Sequence, residues 1–172
     1  NLGIIFQKLE QTQKAIGYFQ KAIKIKPDYA DAYYNLGKIF NELNEYKKAI
    51  NHYEKAIQIN YNQADVHNNL GVIFRSLGEH QKAINCYEKA IKIDPNYVNA
   101  YNNFGMILGE LNRINEAKKN FEKSLNLDPD KKETHEGYGN ILLKLNHHSK
   151  ALEYIREGTG FVRFTQKDFE II

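Results

Sequence analysis

Apolar residues fall at three- and four-residue spacing through most of the chain. Leu36, Ile39, Phe40 and Leu43 make one such stripe, and Ala49, Ile50, Tyr53, Ala56 and Ile57 make the next. This spacing places one apolar stripe on each of a series of amphipathic helices. The stripes break at Asn44-Glu45, Gly78-Glu79, Asn112-Arg113 and Asn146-His147. Asn and Gly there suit a helix end that needs a left-handed residue. The pattern predicts helices near 30–43, 46–59, 64–77, 80–93, 98–111, 114–127, 132–145 and 148–157. A first pair is expected at 1–9 and 12–25, with its first helix cut short. Asp94-Pro95 and Asp128-Pro129 read as N-caps followed by Pro at the first helical position.

The helical pattern itself repeats. Tyr33-Tyr34-Asn35-Leu36-Gly37, His67-Asn68-Asn69-Leu70-Gly71 and Tyr101-Asn102-Asn103-Phe104-Gly105 each begin 34 residues after the last. His135-Glu136-Gly137-Tyr138-Gly139 keeps the spacing, and Asn1-Leu2-Gly3 reads as a truncated first copy. The second halves repeat too: Ala15, Phe19 and Ala22, then Ala49, Tyr53 and Ala56, then Ala83, Tyr87 and Ala90, then Ala117, Phe121 and Ser124. Pro27, Pro95 and Pro129 close three units, with Tyr61 in that place in the other. Periodicity on this scale marks a repeat architecture.

These residues resemble the tetratricopeptide repeat (TPR), with its aromatic-x2-Leu-Gly-x2-Tyr, Ala-x3-Phe-x2-Ala and Pro at the same period. The resemblance implies an all-α, right-handed superhelical solenoid of about five antiparallel helix pairs, the first helix of each pair lining the concave side. The units would lie near 1–29, 30–63, 64–97, 98–131 and 132–157, with 158–172 a short non-repeat capping tail or linker. Gly37, Gly71, Gly105 and Gly139 fall inside helices, where Gly costs about 1 kcal/mol against Ala. Close approach of the partner helix is the expected gain, with Ala49, Ala83 and Ala117 as the facing small residues. In the fifth unit Ile155 replaces the aromatic and Gly158 the second Ala, so the last helix is expected to stop near Gly158. Beyond it, Phe161, Val162, Phe164, Phe169, Ile171 and Ile172 could cover the open end left by Leu152 and Ile155. Alternation of side chains there leans towards an extended segment.

Composition narrows the function. With 42% hydrophobic and 26% charged residues, the 172-residue chain is neither a disordered tail nor a membrane protein. Twenty-four Lys and Arg against 21 Asp and Glu leave a net charge of +3, too small to argue for nucleic acid. The single cysteine, Cys86, excludes an internal disulfide framework. With no visible signal segment, that cysteine also makes the cytoplasm the default compartment. The six histidines do not form a converging ligand set: His67 and His135 take the aromatic position, and His147 and His148 sit in a turn. Neither a metal nor another cofactor is expected, and no catalytic constellation stands out.

Candidate chemistry therefore belongs to the first helices. Asn1, Asn35, Asn69 and Asn103 recur at one position of the repeat until Gly137 breaks the series, and Asn68 and Asn102 extend the row. Asn is a mediocre helix former, and a primary amide can pair with both the C=O and the N–H of an extended peptide. The series resembles the TPR superhelix of the O-linked N-acetylglucosamine transferases, which implies Asn35, Asn69 and Asn103, with Asn1, as peptide contacts. An Asn-rich chain, in which Asn41, Asn44 and Asn51 have no such role, leaves compositional drift open. The TPR class that clamps a chaperone's C-terminal carboxylate needs Lys and Arg at positions held here by Tyr34, Asn99 and Asn103, so that mode is rejected; Tyr34, Lys38 and Arg75 remain as candidate peptide contacts beside the asparagines. The expectation is a non-enzymatic scaffold that binds an extended peptide or partner helix and could self-associate through its end or tail. The alternative is the substrate-recruiting segment of a larger enzyme, such as a transferase.

Overall fold

The structure, a computed structural model, describes residues 2–59 and 63–160, with side chains from Thr12 onwards. Among them are nine helices and no strand: α1 (Leu2–Ile25), α2 (Ala30–Glu42), α3 (Tyr46–Gln58), α4 (Ala64–Ser76), α5 (His80–Ile93), α6 (Val98–Glu110), α7 (Ile114–Leu127), α8 (Lys132–Lys144) and α9 (His148–Thr159). From α2 onwards the expected helices form, with ends displaced by at most two residues. The chain divides into two compact units, one ending at Ile93 and the other beginning at Asp94.

Four helix pairs turn by the same device. Asn44, Gly78, Asn112 and Asn146 have φ of 58°, 72°, 58° and 61°. In each turn the amide one residue further on reaches back to a carbonyl of the finished helix: Glu45 to Phe40 and Glu79 to Phe74 at 2.8 Å, Arg113 to Leu108 at 2.8 Å and His147 to Leu142 at 2.9 Å. A second bond, from the left-handed residue itself to the carbonyl three residues back, completes a Schellman motif that satisfies carbonyls at the helix end. Asn and Gly carry that backbone at least cost.

Two local expectations fail. The first pair, expected at 1–9 and 12–25, is instead one continuous helix, α1. The position that should turn holds Glu10, a good helix former with no taste for the left-handed region. Asp94 and Asp128 are not N-caps either. Asp94 Oδ1 accepts the Asn96 amide at 2.9 Å and Asp128 Oδ1 accepts the Asp130 amide at 3.2 Å, so each closes a turn two residues long. Their helices begin later, after Tyr97 and Lys131, and neither N-cap carries a side-chain hydrogen bond.

In the first unit, α1 packs on α2, α2 on α3, α3 on α4 and α4 on α5, while α2 also touches α4. Its core holds Leu36, Ala49, Tyr53, Val66 and Ile73, all without exposed surface. In the second unit α6 packs on α7 and α8, α7 on α8, and α8 on α9. There the core is Leu108, Ala117, Phe121, Tyr138, Ile141, Leu142 and Ala151.

The helix-interior glycines do admit a close neighbour, but it is not the expected alanine. A β-carbon on Gly37 would lie 2.6 Å from the Tyr53 ring, one on Gly71 2.5 Å from the Tyr87 ring, and one on Gly105 3.0 Å from the Phe121 ring. Only at Gly139 does the backbone of the paired alanine come that near, with Ala151 O at 3.0 Å. The last helix runs one residue past Gly158 and closes at Gly160, whose φ is 79°. Gly158 itself presses on α8: a β-carbon there would lie 2.7 Å from the Glu136 amide nitrogen and 2.8 Å from the Lys132 carbonyl oxygen. The tail from Phe161 to Ile172, expected to be extended and to cap the array, lies outside the described residues.

Candidate functional site

The asparagines of the first helices separate into two groups. Asn35, Asn69 and Asn103 are half-buried, whereas Asn68 and Asn102 are buried, at 6% and 5% exposure. On a helix, consecutive residues point about 100° apart, so a row of neighbours cannot share one face. Asn68 and Asn102 therefore do not extend the row as expected. Asn102 spends its carboxamide inside the second unit: Thr134 Oγ1 donates to its Oδ1 at 3.1 Å, and the Thr134 and Ser124 hydroxyls lie 3.0 Å apart. Ser124 Oγ also reaches the Val98 carbonyl at 3.4 Å. This network ties α6, α7 and α8 together through groups that would otherwise be buried unsatisfied. The clue in the sequence is Ser124, which stands where earlier units have Ala56 and Ala90.

Within the first unit, α2 and α4 present the remaining candidates. Asn35 Nδ2 donates to the Asp31 carbonyl one turn back at 2.7 Å, which leaves Oδ1 as its atom for a ligand N–H. Asn69 stands beside the buried Tyr53 hydroxyl without closing a well-directed hydrogen bond. Burial raises the Tyr53 pKa well above the usual phenol value, and the Asn69 side chain opposes that rise. Tyr34 is differently employed: its hydroxyl donates a short hydrogen bond to the Asp65 carboxylate, joining α2 to α4. Its ring lies 5.8 Å from the exposed Lys38 ammonium. Arg75 is half-buried at the end of α4. In the second unit Asn103 sits on α6, one residue from the buried network. Asn1 lies outside the described residues.

The other reactive groups are used structurally. Cys86 is half-buried, and burial pushes its thiol up to about 11, away from thiolate chemistry. His67 is buried in α4, with its pKa lowered by burial and then by Lys89. His135 stacks on Tyr154 at 5.4 Å, and its Nδ1 lies 2.9 Å from Glu157 Oε2, so it holds α9 to α8. Among the described residues no three His, Cys, Asp or Glu side chains come together as metal ligands, and no helix is long and apolar enough to cross a membrane.

Comparison with known proteins agrees with this architecture. Models of the TPR match residues 3–41 and 37–74, 64–97, and 86–119, which together run from residue 3 to residue 119. No curated protein matches at the level of sequence. Among solved structures, the chain is similar to PilF of Pseudomonas aeruginosa (TM-score 0.80, 24% identity, 97% of this chain and 76% of that one). It is similar also to MamA (TM-score 0.77, 20% identity, covering 93% and 94%). A third is YrrB, a TPR protein with an unusual peptide-binding site (TM-score 0.70, 23% identity, covering 91% and 80%). With the 34-residue period, the paired helices and the Gly–aromatic contacts recurring from unit to unit, the chain belongs to the tetratricopeptide repeat family.

Proposed function

We propose that this chain is a protein-interaction module whose first helices hold the main chain of an extended peptide. Asn35 and Asn69 do so in the first unit and Asn103 in the second. The observation that carries this reading is the selective exposure of the asparagines: the series that recurs once per repeat stays accessible while its neighbours Asn68 and Asn102 are buried. A half-exposed carboxamide, repeated once per 34-residue repeat of the sequence, suits amide groups of a ligand backbone better than any one side chain. Lys38 and Arg75 flank the row in the first unit and suit an acidic side chain on the ligand. The peptide-binding site of the structurally similar YrrB is consistent with such a role.

The test is a titration against a peptide selected on the wild-type protein from a random-sequence display library. Each backbone hydrogen bond contributes about 0.5–1.5 kcal/mol net. Replacing Asn35, Asn69 and Asn103 together by Ala is therefore expected to weaken binding by about 2–4 kcal/mol, with helicity by circular dichroism unchanged. Scrambling the peptide's side chains should cost less than that. Equal affinity of wild type and triple variant would end this reading.

A further inference from the structure

The second unit has a cavity of about 220 Å³ on the face shared by α6 and α8. Gly105, Met106 and Gly109 of α6, Phe121 of α7, and Gly137 and Ile141 of α8 make its walls, and Glu110, Asn140 and Lys144 stand at its rim. Two of its lining residues are glycines at repeat positions that carry side chains in earlier units. Gly137 occupies the position of Asn35, Asn69 and Asn103, and Gly109 that of Asn41 and Arg75. At Gly137 the Phe121 ring takes the place of a side chain, since a β-carbon there would lie 2.7 Å from it. At Gly109 a β-carbon would meet only the tip of Ile141, at 3.0 Å. In the first unit the corresponding positions carry Asn41 and Asn69.

We infer that this cavity is a specificity pocket that takes one large aliphatic side chain, leucine or methionine in size, from a peptide lying along the first helices of the second unit. The inference rests on the peptide-binding reading and adds to it the side chain that the second unit selects. Size is the first argument. The cavity is smaller than the roughly 300–1,000 Å³ of sites that enclose a whole small-molecule ligand, but ample for one side chain. Chemistry is the second. The Phe121 ring, Met106 and Ile141 offer a charged or amide group nothing to bond to, so burying one there carries an uncompensated desolvation cost. The rim holds one anion and one cation, Glu110 and Lys144, and so favours neither sign. Lys144 Nζ itself donates to the Gly109 carbonyl at 3.0 Å, which joins α8 to α6. The exposed Asn140, also in the lining, has a carboxamide that can pair with a peptide main chain. Met106, flexible and polarizable, can shape itself to an aliphatic guest.

The sole methionine of the chain is in this pocket, so a carbon-13 methyl label on methionine gives one NMR signal that reports on it. The full 172-residue chain is titrated with capped peptides of sequence Ser-Gly-X-Gly-Ser, with X as leucine, alanine or aspartate. The leucine peptide is expected to shift the Met106 methyl signal saturably and to bind at least about tenfold more tightly than the other two. Gly109→Leu, which grows a side chain into the cavity, should abolish that shift while the far-ultraviolet circular dichroism stays that of the wild type. Equal affinities for the three peptides, or no saturable shift at millimolar leucine peptide, overturn the pocket on the wild-type protein alone. Asn103→Ala separates this result from the broader reading. A preserved leucine preference with unchanged affinity in Asn103→Ala supports the pocket and counts against the asparagine contact. Weaker binding in Asn103→Ala with no leucine preference in the wild type counts the opposite way.

Discussion

The ring of Tyr87 fills the space that a side chain on Gly71 would need: a β-carbon on Gly71 would stand 2.5 Å from Tyr87 Cε1, and Tyr87 has no exposed surface. The same relationship joins Gly37 to Tyr53 and Gly105 to Phe121. Glycine inside a helix costs about 1 kcal/mol against alanine, and burial of a whole aromatic side chain against the partner helix outweighs that cost. In these three pairs the first helix thus leaves space for a ring of the second, whereas Gly139 meets Ile155.

Gly71→Ala tests this directly. Alanine would gain helix propensity but must displace the Tyr87 ring, so a net loss of about 1–3 kcal/mol is expected. Gly17→Ala is the counterpart. Gly17 also lies inside a helix, but a β-carbon there meets no described atom within 4 Å. That substitution should raise stability by up to about 1 kcal/mol. Urea denaturation of both variants reads the two signs, and a common sign would show that propensity rather than packing governs these sites.

The buried hydroxyl and amide network of the second unit gives a sharper test of coupling. Thr134→Val removes the donor to Asn102 Oδ1 and the partner of Ser124. Leaving those buried groups unsatisfied is expected to cost about 1–3 kcal/mol. Removing both sides of the central bond, in Asn102→Leu with Thr134→Val, should cost less than the sum of the single changes. Additive losses would mean that the three side chains act independently.

What could be read from the chain was whatever recurs within one repeat. The stripes around Leu36 and Tyr53 set the helices, and Asn44, Gly78, Asn112 and Asn146 set their ends, because each acts on its own few residues. Misreadings arose where a neighbour decides the outcome. Periodicity marks Gly71 as special but does not say that Tyr87, rather than Ala83, is what it meets. Asn102 and Asn103 are equally polar as letters, yet Thr134 of α8 donates to the first. The continuous α1 was a local matter that the period obscured: alignment with the other units implied a break, while Glu10 supplied no residue to make one. The pocket is legible only in retrospect, as the coincidence of Gly109 and Gly137 on helices that lie side by side.

Stability should also fall on mild acidification. His52 and His67 have pKa values lowered from 6.5, both chiefly by burial. The unfolded chain takes up protons on them near pH 6.5, whereas the folded chain resists until lower pH. Their contribution is therefore intact above that pH and is lost as pH falls from there through the folded-state pKa values. The melting temperature should drop between about pH 7.5 and 5.5. His67→Tyr, which restores the residue found at the same position in Tyr33 and Tyr101, should flatten part of that dependence. A slope identical to that of the wild type would show that His67 is not among its sources.

Gly158 supplies the last test, because its neighbours cannot yield. At Gly71 the obstacle is a ring that can tilt, but at Gly158 it is the backbone of α8, with the Glu136 amide nitrogen and the Lys132 carbonyl oxygen both within 3 Å of a built β-carbon. Gly158→Ala must therefore move the end of α9 away from α8. That movement would pull Glu157 from His135 and loosen the His135–Tyr154 stack. The expected result is local: a stability loss of about 1–3 kcal/mol together with faster amide hydrogen exchange in the last turns of α9, while exchange in α6 and α7 keeps its wild-type ranking. If alanine is accommodated with unchanged exchange in α9, the close approach of the two helices at Gly158 is not what holds this end of the second unit together.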